Sequence, residues 1–160
     1  IAQCVNGNLS PVPFDAFQEP FVRRLAFDAR NRPFVATRDT LLTLADNSHW
    51  SRALGFAPPA RQEIQLLRRS GESIFVGMDG GRIWRGSDSG WKELPPLASC
   101  QKYPITSVRS SVGEKTEACL RTAPAPDSCA DGSQPDEIWA SCLGGGVGRF
   151  AEGRWTYYSE

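Results

Sequence analysis

The chain has one histidine and one methionine in 160 residues, and no excess charge of either sign: 18 basic side chains balance 18 acidic ones. No basic surplus marks a nucleic-acid partner, and no acidic surplus marks a cationic one. No apolar run reaches the roughly 18 residues a membrane span requires. No signal peptide is present, although a mature or trimmed chain would have lost one. Long uninterrupted helical stretches are also missing. Fifteen Gly and twelve Pro break the chain throughout, a distribution that suits short strands and tight turns.

The lone His49 sits at a strand start beside Trp50 and reads as an exposed or locally bonded side chain. No nucleophilic triad can be assembled around it. Five cysteines (4, 100, 119, 129 and 142) contain no Cys-x-x-Cys pair, so no zinc pattern exists. Asp127, Asp131 and Asp136 lack the spacing and glycine of a calcium loop and read as solvated acids. Carboxylate pairs for glycoside hydrolysis cannot be read from separation in sequence. No catalytic residue, metal site or cofactor is expected, and the reading leans away from an enzyme. Gly144-Gly145-Gly146 lies between two strands, so it is a hairpin and not a phosphate cradle. Asn8-Leu9-Ser10 fits a glycosylation tripeptide, a pattern common by chance.

Cys119 and Cys129 enclose a stretch rich in Pro, Ala, Asp and Ser. Their pairing would close a short loop and stabilise by roughly 2–3 kcal/mol. Cys100 and Cys142 form a second possible pair, leaving Cys4 over. Disulfides imply a periplasmic or extracellular location; unpaired thiols are the alternative.

The dominant pattern is a repeat. Phe34, Phe75 and Trp139 each open a short apolar stretch, and a tryptophan (50, 91, 155) follows each after sixteen residues. The first two units lie 41 residues apart, and the third carries about 23 extra. A period near 40 with several short strands per unit belongs to β-propellers. The sequence therefore predicts an all-β fold of about three four-stranded blades, at 21–57, 62–97 and 104–160. A Cys-containing insertion spans 113–135 in the third. Residues 1–20 are an N-terminal linker or edge strand, with Val12, Phe14 and Phe17 as its apolar positions. The repeated tryptophans read as packing residues. Trp84, set against Thr43 and Gly148 in the other units, is a slightly better contact candidate, though still mainly a packing residue. Three units fall short of the usual 4–8 blades. Either further blades are missing and the chain is part of a longer propeller, the favoured reading, or it pairs as a homodimer to complete one ring.

The units resemble the sensor propellers of bacterial two-component regulators. Phe34-Val35-Ala36-Thr37, Ile74-Phe75-Val76-Gly77 and Ile138-Trp139-Ala140-Ser141 take the place of that family's central strand. Gly145-Gly146-Val147-Gly148-Arg149-Phe150 matches its hairpin, and Trp155-Thr156-Tyr157-Tyr158 its closing strand. Gly86-Ser87-Asp88-Ser89-Gly90-Trp91 is more distantly similar to the Asp box of sialidase-type propellers, with altered spacing. The first resemblance implies a non-enzymatic extracytoplasmic module that senses a ligand or docks a protein. A lectin-like or glycosidase-type propeller is the alternative. The partner would be a small molecule, glycan or protein. Propeller ligands gather where the loops between second and third strands meet those between blades, which places Arg38, Asp39, Arg61, Asp79, Lys102 and Tyr103 at the expected site. The insertion should emerge from the opposite end.

Overall fold

The structure, a computed structural model, describes residues 2–5, 8–11, 21–45, 49–87, 89–111 and 137–158; for 2–5, 8–11 and Ala45 only the backbone is described. Strands β1 (Ala2–Val5) and β2 (Asn8–Pro11) form an antiparallel hairpin. Val12, Phe14 and Phe17, expected on an edge strand, lie outside the described residues, as do Cys119, Cys129 and the three aspartates 127, 131 and 136.

Three four-stranded antiparallel meanders follow, each with its strands in chain order. Blade 1 contains β3 (Arg24–Phe27), β4 (Pro33–Ala36), β5 (Leu41–Ala45) and β6 (His49–Arg52). Blade 2 contains β7 (Ile64–Ser70), β8 (Ser73–Met78), β9 (Ile83–Ser87) and β10 (Gly90–Glu93). Blade 3 contains β11 (Ile105–Ser110), β12 (Ile138–Cys142), β13 (Gly146–Ala151) and β14 (Arg154–Tyr158). The first strands stand together, with β7 beside both β3 and β11. Among the described residues the array does not close into a ring.

Each blade has a face toward the preceding blade and one toward the following blade. A middle blade therefore cannot alternate apolar with polar residues, and all six residues of β8 are buried. Ile74, Val76 and Met78 point into a core shared with Phe34, Ala36 and Leu41 of blade 1. Phe75 and Ile83 point into a second core with Ile105, Val108, Ile138 and Ala140 of blade 3. A third cluster, Val35, Leu42 and Trp50, lies on the outer face of blade 1. Gly77 lets blades 2 and 3 approach: a Cβ there would sit 2.7 Å from Cγ2 of Ile105.

Strand register assigns the repeated tryptophans to packing. Trp91 opposes Gly86 and lies across it. Its ring meets Phe34 at 5.9 Å and Phe56 at 5.3 Å, both edge-on. Trp155 packs with Phe150 and donates from Nε1 to the Pro95 carbonyl at 2.6 Å. Trp84 packs in the core, in line with its main reading: it is buried and edge-on to Phe56 at 5.2 Å. Its counterpart in blade 1 is also one residue away from the position read in sequence. Trp84 opposes Val76 just as Leu42 opposes Val35, so Thr43 lies on the other face.

Candidate functional site

The six residues expected to bind ligand all lie at one end of the array, on loops between second and third strands or between blades. Several are engaged there in structural contacts. Arg38 donates to Glu63 through Nε at 2.7 Å and lies 2.6 Å from it through Nη2. Arg23 reaches the other Glu63 oxygen at 2.9 Å. Hydrogen bonds from Arg23 and Arg38 hold the Glu63 carboxyl below its ordinary value. Asp79 accepts from Gln65 at 3.2 Å, and its N–H donates to the Glu63 carbonyl. Arg38 and Asp79 are thus joined through Glu63, which the sequence reading passed over. Asp39 accepts from the Thr40 hydroxyl at 3.0 Å. Arg61 is exposed with φ of 68°. Lys102 is exposed, and Tyr103 lies against Gly144 and Gly145.

A groove with a cavity volume of about 780 Å³ opens at the opposite end and runs up between the outer strands of blades 1 and 2. Its apolar lining is Phe34, Ala53, Leu54, Ile74 and Trp91. Its polar lining comes largely from three turns. Asp28, Arg30 and Arg32 come from the β3–β4 turn; Ser70, Glu72 and Ser73 from the β7–β8 turn; Ser87, Ser89 and Gly90 from the β9–β10 turn. Arg85 and Ser110 complete it.

Local chemistry makes these turns firm. Oδ1 of Asp28 accepts the N–H groups of Arg30 at 2.9 Å and Arg32 at 2.8 Å, and Oδ2 accepts Nε of Arg32 at 2.6 Å. Burial works to raise the Asp28 pKa, but these donors outweigh it and hold the carboxyl below its ordinary value. Asn31 takes φ of 59°, a left-handed conformation that asparagine tolerates, and closes the turn with its N–H on the Asp28 carbonyl. With both oxygens engaged, Asp28 is a turn-former and not a general base. Arg85 donates to Ser73 Oγ at 2.9 Å, and burial pushes its guanidinium pKa down. Ser70 Oγ accepts the Ser110 N–H at 2.8 Å, which ties blade 2 to blade 3 at the groove floor. Ser87 and Ser89 hydroxyls lie 2.8 Å apart.

The groove therefore brings guanidinium groups, hydroxyls and aromatic rings into one cavity. Such a set has the donors to hold an anionic or polyhydroxylated molecule and apolar surface for its other side. His49 does not line it. Among the described residues no three His, Cys, Asp or Glu side chains are grouped to hold a metal. The residues expected from sequence lie at the end of the array away from this cavity. The available signal was the pair of polar turns between first and second strands, 28–32 and 71–72, that recur at the same step of successive units. No family model, curated protein or solved structure matches this chain.

Proposed function

We propose that the chain is a non-enzymatic, extracytoplasmic propeller module that senses a small ligand, and that the ligand occupies the groove between blades 1 and 2. The observation that carries this reading is the groove lining: Arg30 and Arg32 with the hydroxyls of Ser70, Ser73, Ser87, Ser89 and Ser110, in one cavity with Phe34 and Trp91. Guanidinium groups recognise carboxylates and phosphates by paired hydrogen bonds, while the aromatic lining takes the apolar side of the same molecule. The buried Cys100–Cys142 disulfide supports the periplasm or cell exterior as its location. Sensor-type propeller units, which the central strands and closing strands resemble, supply the sensing role.

The alternative is a carbohydrate-binding propeller, and the same aromatic lining favours it. One experiment serves both. Thermal unfolding is followed against a panel of dicarboxylates, phosphorylated small molecules, sugar acids and neutral sugars. A ligand at a hundred times its Kd adds roughly 2.7 kcal/mol of stability. Acidic ligands should raise the melting temperature of the wild type and not of Arg30→Ala. A response to neutral sugars alone, unchanged in Arg30→Ala, selects the carbohydrate reading. If no compound class shifts the transition, the small-ligand assignment is wrong.

A further inference from the structure

Two opposite charges stand at the β7–β8 turn and are not bonded to each other. The turn is tight: Ser70 pairs with Ser73, and Gly71 takes φ of 57° between them. Glu72 lines the groove and is exposed. Its carboxylate has no ion-pair or hydrogen-bond partner among the described residues. Arg69, also exposed, opposes the groove residue Ile74 and so shares its face of the sheet.

The Arg69 guanidinium donates from Nε to the Gly71 carbonyl at 2.9 Å and from Nη1 to the Asp28 carbonyl at 3.4 Å. Both acceptors are uncharged, and Nη2 makes no bond among the described residues. The Asp28 carboxylate does not neutralise it, because its oxygens are taken by Arg32 and by the turn N–H groups. Arg69 is thereby fixed between the β3–β4 and β7–β8 turns, which bring Asp28, Arg30, Ser70 and Glu72 to the groove.

A guanidinium held by backbone carbonyls keeps its charge and is already oriented for a carboxylate. A ligand carrying negative charge alone would also meet the Glu72 carboxylate there, and like charges repel. A ligand with an ammonium beside its carboxylate satisfies both groups, and an α-amino acid carries the two on a single carbon. The remaining lining suits an apolar side chain: Phe34, Leu54 and Trp91 share the cavity, and Leu54 is 94% exposed.

We propose that the groove binds an α-amino acid with an apolar side chain, its carboxylate on Arg69, its ammonium on Glu72 and its side chain against Phe34, Leu54 and Trp91. This rests on the small-ligand reading of the groove and narrows its ligand from acids in general to zwitterions.

The test is titration calorimetry of the full chain at neutral pH with L-phenylalanine, L-tryptophan and L-leucine. Phenylpropionate, which lacks the ammonium, and phenethylamine, which lacks the carboxylate, are the controls. Phenylalanine should bind about tenfold or more tighter than either control. Glu72→Gln should weaken phenylalanine by about tenfold and leave phenylpropionate as tight or tighter. Arg69→Gln should weaken phenylalanine and phenylpropionate but not phenethylamine. Should Arg69→Gln fail to fold, having lost the bonds that join two turns, Glu72→Gln decides alone, because the Glu72 side chain holds nothing in place. Phenylpropionate binding as well as phenylalanine, or phenylalanine binding unchanged in Glu72→Gln, overturns the zwitterion and leaves the small-ligand reading standing. So does a shift by sugar acids or phosphorylated compounds, lost in Arg30→Ala, with none of the three amino acids bound. No binding by any compound of either set overturns both.

Discussion

Cys100 is bonded to Cys142 across 42 residues of sequence, with their Cα atoms 5.8 Å apart. Cys100 ends the short 3-10 turn Ala98–Cys100 in the connector from blade 2, and Cys142 ends β12. The bond fastens that connector to the second strand of blade 3, and both sulfurs are buried in the core between the two blades. Closing a loop of this length stabilises by about 4 kcal/mol in the chain-entropy description. Reduction, or Cys142→Ser, should lower unfolding free energy by roughly 2–4 kcal/mol, measured by urea denaturation with and without reductant. Coincident curves would mean that the bond contributes nothing to stability.

Acid should weaken the protein through Asp28. Its folded pKa lies below the ordinary 3.8, so the unfolded chain takes up the proton first. The stabilisation is complete above the unfolded value and is lost as pH falls through the folded one. Melting temperature followed from pH 6 to pH 2 should decline below about pH 4. Asp28→Asn, which keeps an acceptor for the turn N–H groups but not the charge for Arg32, should flatten part of that decline. An unaltered slope would assign the acid sensitivity elsewhere, with Glu63 and Glu137 the next groups whose carboxyls are held low.

Trp91 is part-buried, and its ring lies on Gly86 between the edges of Phe34 and Phe56. Trp91→Ala should cost about 3 kcal/mol, the lower end of the range for large aromatic truncations. Trp91→Phe should recover most of this. Equal losses from both replacements would point to the indole shape and not to apolar contact.

Gly77→Ala should also destabilise, by about 1–3 kcal/mol through overpacking. The added methyl meets Cβ and Cγ2 of Ile105 from the next blade. Ile105→Val in the same chain should relieve part of the strain, and a double-mutant cycle measures the coupling. Additive effects would show that the two positions do not touch.

The blades were legible because their packing imposes a local pattern. Phe34, Phe75 and Trp139 answer the same demand, a large side chain toward the following blade, and they recur with their tryptophans at one spacing. The faces of individual residues were less legible. Thr43 and Leu42 are adjacent, and one step of register moves a side chain across the sheet, so Trp84 was matched to the wrong neighbour. The groove was harder still. Asp28, Ser73 and Ser89 converge only because three separate turns end at one height, a relation carried by tertiary packing. Each turn alone has the composition of any solvated turn. The Cys100–Cys142 pair was weighed second because its partners are distant in sequence; their nearness depends on the connector folding back on β12.

Ser111 and Glu137 close the end of blade 3 as directly as a short hairpin would. The Ser111 N–H donates to the Glu137 carbonyl at 2.9 Å, and the Glu137 N–H donates to Ser111 Oγ at 3.2 Å. The chain leaves the blade at one of these residues and returns at the other, so the blade's own hydrogen bonds hold the two points together. The register of β11 against β12 is thereby pinned at this end. Position 111 is accordingly a natural graft point, where a foreign peptide or reporter domain can be carried at the end of the array where the groove opens.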